Sequence, residues 1–67
     1  MAEFICNLKR YRLLKDMTQE QLAQQVGVRC ETIMRLEEAQ YNPSLKLAID
    51  ISRIVEAPIE DIFVFDE

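Results

Sequence analysis

The chain has 67 residues, of which 49% are apolar and 30% charged, with a formal net charge of −4. That size admits one domain, which buries only about 60% of its unfolded surface and is expected to lean on a partner subunit, disulfides or a metal. With no histidine and only Cys6 and Cys30 as thiols, a disulfide-dense scaffold, a zinc site and a Ser-His or Cys-His catalytic pair are excluded.

The first helix is expected from Asn7, a plausible N-cap, to Lys15, with Leu8, Tyr11 and Leu14 or Lys15 on one face and Asp16 interrupting it. Thr18 and Gln21 then form a capping box, and Met17 with Leu22 the matching hydrophobic staple, so a second helix starts there. Leu22, Ala23 and Val26 are its apolar stripe. Gly27, the only glycine, stands where a left-handed residue ends a helix most cheaply. A third helix begins near Arg29 or Cys30 and carries Ile33, Leu36 and Glu37, and Tyr41-Asn42-Pro43 is a loop. Ser44 opens a fourth helix with Leu45, Ala48, Ile51, Ser52 and Val55 on one face, and Pro58 suits the first position of a short helix ending near Ile62. Phe4-Ile5 and Phe63-Val64-Phe65 are apolar and β-prone. They are candidates for a small antiparallel ribbon, which must pack on the helices or on a second subunit to persist.

The longest apolar run, Ile62 to Phe65, is far too short to span a membrane, and the N-terminus lacks a signal-peptide pattern. A cytoplasmic protein that works by binding is expected, with no membrane, cofactor or small-molecule ligand evident. Charge is uneven. Residues 1–35 carry six Lys and Arg against four Asp and Glu, whereas residues 36–67 carry two against eight. A polyanion responds to the local field, which decays over about 8 Å at physiological salt. The basic half is therefore compatible with nucleic acid, and equally with an unevenly solvated surface.

Residues 19–38 carry the central pattern. Two helices joined by Gly27-Val28-Arg29 cross closely where the first presents a small side chain, and Ala23 supplies it. Ile33 and Leu36 anchor the second helix onto Val26 and Leu22, leaving Cys30, Glu31, Met34 and Arg35 on its other face. Such a face fits the major groove of DNA, although a plain helical hairpin would show the same spacing.

The stretch TQEQLAQQVGVRCETIMRLEEAQYNPSLKLAIDISRIVEAPIEDIF resembles the xenobiotic-response-element, or Cro and lambda-repressor type, helix-turn-helix family, over residues 7–63. In its brevity the chain looks most like minimal stand-alone repressors of the cytolysin-repressor kind. The resemblance implies an all-α fold, a five-helix bundle of lambda-repressor-like type, extended by a small terminal β-ribbon. It also implies a symmetric dimer and operator binding. By this register, Gln19, at the start of the second helix, is a candidate phosphate clamp, the alternative being a solvated glutamine. Arg29 joins it on the DNA backbone, and Tyr41 and Asn42 are backbone positioners. Cys30, Glu31, Thr32 and Arg35 are the candidate base readers, Arg35 toward guanine O6 and N7 or toward a phosphate.

The chain also departs from the family. Arg29 stands where a small hydroxyl often caps the third helix, and Cys30-Glu31 where basic or amide residues are common. Glu38-Ala39 replaces an asparagine-glycine. Glu31 either accepts from cytosine N4 or pairs with Arg35 one turn on. DNA binding is then weaker than in basic relatives, or rests more on Lys9, Arg12 and Arg29. For Arg12 the family offers a competing role, an ion pair with Glu37 that fixes the angle between helices.

Cys30, at a helix start beside Arg29, suits redox sensing or is simply tolerated. Cys6 reads as an apolar filler. Ile54, Ile59, Ile62, Phe63, Val64 and Phe65 exceed what one small bundle hides, so they are the candidate dimer interface, unless the patch packs on the first helix. A two-fold partner would set two recognition helices about 34 Å apart, matching an inverted repeat. The sequence thus points to a dimeric DNA-binding transcriptional repressor without enzymatic activity. The alternative is an antitoxin-like or scaffold protein that uses its helix-turn-helix for protein contact.

Overall fold

Side-chain hydrogen bonds set two of the five helix starts. In the computed structural model, which describes residues 4–65, the elements run β1 (Phe4–Cys6), α1 (Leu8–Leu14), α2 (Gln19–Val26), α3 (Cys30–Glu37), α4 (Leu45–Val55), α5 (Ile59–Ile62) and β2 (Phe63–Phe65). Glu3, Asp66 and Glu67 of the charge count lie outside the described residues. Thr18 Oγ1 accepts from the Gln21 N–H at 3.0 Å while Gln21 Oε1 accepts from the Thr18 N–H at 2.8 Å, so the capping box is reciprocal. Ser44 Oγ accepts from the Leu47 N–H at 3.1 Å and starts α4 in the same way. Pro58 stands at the N-cap of α5 rather than inside it, since its ψ of 147° is extended. Asn7 also stands at an N-cap, but its side chain does no capping. Its Nδ2 donates to the Asp61 carbonyl at 3.2 Å, and its N–H to the Ile62 carbonyl at 2.7 Å, tying α1 to α5.

Helices α1 to α4 end alike. Asp16, Gly27, Ala39 and Glu56 have φ of 54°, 73°, 56° and 57°. In each case the next N–H reaches back five residues to a carbonyl: Met17 to Arg12, Val28 to Ala23, Gln40 to Arg35 and Ala57 to Ser52, at 2.9 to 3.2 Å. This left-handed closure satisfies orphan carbonyls of the last turn. Only one of these positions is a glycine.

The core is one cluster in which Leu8, Leu22, Ile33, Leu36, Ile51 and Ile62 are fully enclosed. Ala23 is buried where α2 and α3 cross, as a small residue must be. Two expected faces are rotated. Leu14 is 71% exposed and Arg12 takes the inward position on α1. Leu45 is 75% exposed and Leu47 replaces it, because the cap at Ser44 leaves Leu45 on the first, outward turn.

β1 and β2 pair antiparallel with Phe4 opposite Phe65, Ile5 opposite Val64 and Cys6 opposite Phe63. The pleat turns Phe4 and Phe63 inward, their rings edge-on at 5.9 Å, while Phe65 lies 5.2 Å from Phe4. Ile62 and Phe63, expected at a subunit interface, are therefore part of this chain's own core, at 0% and 3% exposure. The outer pair, Ile5 and Val64, faces away from the helices. Among the described residues, no helix is long and apolar enough to cross a membrane.

Candidate nucleic-acid interface

Helix α3 is held by an ion pair. Arg12 on α1 is buried, and its Nε donates to Glu37 Oε2 at 2.6 Å and its Nη2 to Glu37 Oε1 at 3.2 Å. Its Nη1 donates to the Met17 carbonyl at 2.7 Å, fixing the turn before α2. Gln19 Nε2 adds a third bond to the carboxylate, at 3.0 Å to Oε1. One carboxylate at the end of α3 thus gathers α1 and α2. No buried side-chain polar atom is left without a partner among the described residues. A planar guanidinium suits this fork better than an ammonium would. Arg12, named also among the residues DNA binding would rest on, is enclosed here with its guanidinium taken up by Glu37 and the Met17 carbonyl.

With Ile33 and Leu36 buried, Glu31, Met34, Arg35 and Glu38 stand exposed on the opposite side of α3. Arg35 Nη2 lies 3.6 Å from Glu31 Oε2, with both side chains more than 60% exposed. Glu31 occupies the first turn and Arg35 the last, each at the end the helix dipole favours. Cys30 departs from the expected free face: it is half-buried and packs against the core. Thr32 is half-buried as well, so Glu31 and Arg35 are the expected base readers that share the open face. Met34 flanks them on the free face where it was expected, and Glu38, just past the helix, falls on the same stripe.

Arg29, at the N-cap of α3, makes no side-chain cap bond and is exposed. Gln19 is the first residue of α2, and its amide is turned inward to Glu37 rather than left free at the helix start. Tyr41 and Asn42 are exposed in the loop after α3. Lys9, Gln19, Met34 and Glu38 line one groove beside α3, with the Arg12–Glu37 pair at its floor.

Away from this face, Leu45, Ala48, Ile59, Phe63 and Phe65 line a mostly apolar groove of about 430 Å³ with Pro43 at its edge. Ile54 and Ile59 are half-buried, and Val64 and Phe65 are 40% and 58% exposed. Burial pushes the Cys6 thiol up from its ordinary value, a shift opposed by a backbone hydrogen bond with Leu8 and reinforced by the charge of Glu37. Cys6 is thus held as the protonated, unreactive thiol. Among the described residues, no group of three His, Cys, Asp or Glu could hold a metal ion.

This geometry has relatives. An uncharacterized HTH-type transcriptional regulator of Archaeoglobus fulgidus is 60% identical over 60 residues, covering 90% of this chain and 84% of that one. Among solved structures, the clp gene regulator ClgR of Corynebacterium glutamicum superposes with a TM-score of 0.74 over 81% of this chain, which spans 57% of ClgR's length. The restriction-modification controller protein C.AhdI of Aeromonas hydrophila gives 0.73, over 81% of this chain and 82% of that one. Both are 24% identical to it, so they share its fold. The profile of the Helix-turn-helix family matches residues 8–62, from the first residue of α1 to the last of α5, and the chain belongs to that family.

Proposed function

We propose that this protein is a sequence-specific double-stranded DNA-binding transcriptional regulator of the cytoplasm, acting as a homodimeric repressor on an inverted-repeat operator. The observation that carries the reading is the face of α3. It is anchored from behind by Ile33, Leu36 and the Arg12–Glu37 fork, and open in front at Glu31, Met34 and Arg35. A helix so held can enter the major groove without reorganising. Arg29, Tyr41 and Asn42 lie at its ends and would position it on phosphates. The regulator named for the archaeal relative supports the same role. Repression follows from geometry, since a dimer seated on promoter DNA excludes polymerase.

The dimer is supported by apolar surface that the monomer leaves in water. Ile5, Leu45, Val64 and Phe65 are 40% to 75% exposed, and the groove between α4 and the ribbon adjoins them. The interface we propose therefore comprises these residues with Ile54 and Ile59, and excludes Ile62 and Phe63.

A second reading has its own observation: Glu31 and Glu38 put negative charge on the face that would meet phosphate. On that reading α3 contacts protein, as in an antitoxin or scaffold. Selection of bound sequences from randomised duplex DNA, repeated across a salt series, separates the two. An enriched inverted repeat with half-sites one helical turn apart, weakened by salt, supports the repressor. No enrichment at low salt by a folded protein overturns it in favour of protein contact.

A further inference from the structure

We infer that Glu31 and Arg35 act as one reading unit, taking a cytosine and a guanine within two base-pair steps of each other in the half-site, and that the carboxylate screens Arg35 from phosphate elsewhere on DNA. This deepens the reading of α3 as a DNA-contacting helix and rests on it. The two heads touch at 3.6 Å, are both more than 60% exposed, and share the open face of α3. Four helical residues rise about 6 Å, and successive base pairs about 3.4 Å, so the pair spans one or two steps.

The base edges decide what such a pair recognises. A guanidinium fork matches the O6 and N7 acceptors of guanine. A carboxylate only accepts, and in the major groove only cytosine and adenine offer it a donor. Adenine sets its N7 acceptor beside the N6 donor, so a carboxylate aimed at N6 also meets a lone pair. Cytosine N4 has an acceptor on one side only, the O6 of its paired guanine, whereas adenine N6 lies between its own N7 and the O4 of its paired thymine. Cytosine is therefore the base that satisfies Glu31, and thymine and guanine present it with acceptors alone.

The free-state contact gives the same pair a second effect. On DNA lacking the right bases, Glu31 beside Arg35 offsets part of its charge, so Arg35 adds less to phosphate binding than an unpaired arginine would. Where guanine and cytosine lie together, both heads exchange each other for base partners. Surface ion pairs this exposed are weak enough to be exchanged. The negative charge that seems out of place on this face thereby lowers binding to the wrong sites.

The test compares the wild-type chain with Glu31→Gln, Glu31→Ala and Arg35→Ala by selection from randomised duplex DNA, and by salt titration on a non-cognate duplex. Glu31 is exposed, and circular dichroism checks that each variant keeps its fold. Wild type should select half-sites containing the guanine and cytosine. Glu31→Gln should turn the cytosine into adenine, whose N6 and N7 an amide matches, with a change in preference of about ten-fold or more and the guanine retained. Glu31→Ala should lose the cytosine and gain nothing in its place. Both should bind the non-cognate duplex more tightly, with a salt slope steeper by up to about one ion. An inverted repeat that Glu31→Gln leaves unchanged overturns this inference while the DNA reading stands. No selected site for the wild type overturns both.

Discussion

Arg12 is the most constrained residue of the chain. Its guanidinium is enclosed, bonded twice to Glu37 and once to the Met17 carbonyl. Removing one partner of such a pair leaves a buried charge, at a cost of about 3–5 kcal/mol. A domain of this size is stable by roughly 3–10 kcal/mol, so Arg12→Ala is expected to remove about half of the chain's stability. Urea denaturation followed by circular dichroism reads this directly. Arg12→Met with Glu37→Leu should recover most of the loss, since a buried pair exchanged whole for apolar side chains is often neutral. A single variant as stable as wild type would show that the fork contributes little. Gln19 belongs to the same network, and its amide is held by Glu37 rather than left for a phosphate. Nothing in the spacing around Gln19 reveals that bond, because its partner lies on another helix eighteen residues on.

At the level of elements, starts and stops differ in how they are encoded. The starts of α2 and α4 are legible because Thr18 and Ser44 bond backbone groups three residues away, a purely local chemistry. Gly27 is legible as a stop for a similar reason. Asp16 is legible as well, as the residue that interrupts α1, but Ala39 and Glu56 are not, because each carries a Cβ into left-handed backbone, which costs roughly 1–2 kcal/mol and is imposed by where the next helix must go. The faces expected for α1 and α4 depart at one residue each, Leu14 and Leu45, while Leu8, Ala48, Ile51 and Val55 are buried as expected. Polarity alone puts Leu14 inside and Arg12 outside, whereas Glu37 inverts them. Substitutions at the stops expose the cost. No atom lies within 4 Å of a Cβ built on Gly27, so Gly27→Ala should lose about 1 kcal/mol through backbone strain alone. Glu56→Gly should exceed Glu56→Ala in stability by up to about 1 kcal/mol, the relief of strain less the added freedom of the unfolded chain. Comparing those two variants removes the Lys15–Glu56 ion pair from both sides. Thermal unfolding midpoints check each difference, and equal midpoints at residue 56 would refute the strain.

For the whole molecule, the reading and proposed pairing surfaces are built from different helices. The proposed reading rests on α3 and the proposed pairing on α4, α5 and the ribbon. The two should therefore separate by mutation. Leu45→Glu, on an exposed first turn where an acidic residue suits the helix, should leave each monomer folded but shift light-scattering mass from dimer to monomer. Its binding to a single half-site should be unchanged, with the gain from the second half-site lost. A variant that stays dimeric would move the interface elsewhere. The interface is also where sequence patterning misled. Periodicity cannot tell an apolar residue that a neighbouring subunit covers from one that its own chain covers, and Ile62 of α5 and Phe63 of the ribbon are of the second kind.

The register that sets Phe4 opposite Phe65 gives the ribbon nearly the largest sequence separation the described chain allows. Closing so long a loop has an entropic cost that grows with the logarithm of its length, and contacts of this span form slowly. Local helices and the α2–α3 corner can assemble first, and the ribbon can only zip once the bundle has brought its ends together. Val64 and Ile5 thus enter the proposed pairing surface last. A half-folded chain then has no finished surface to offer a partner, so the proposed self-association would select for chains whose third helix is already in place.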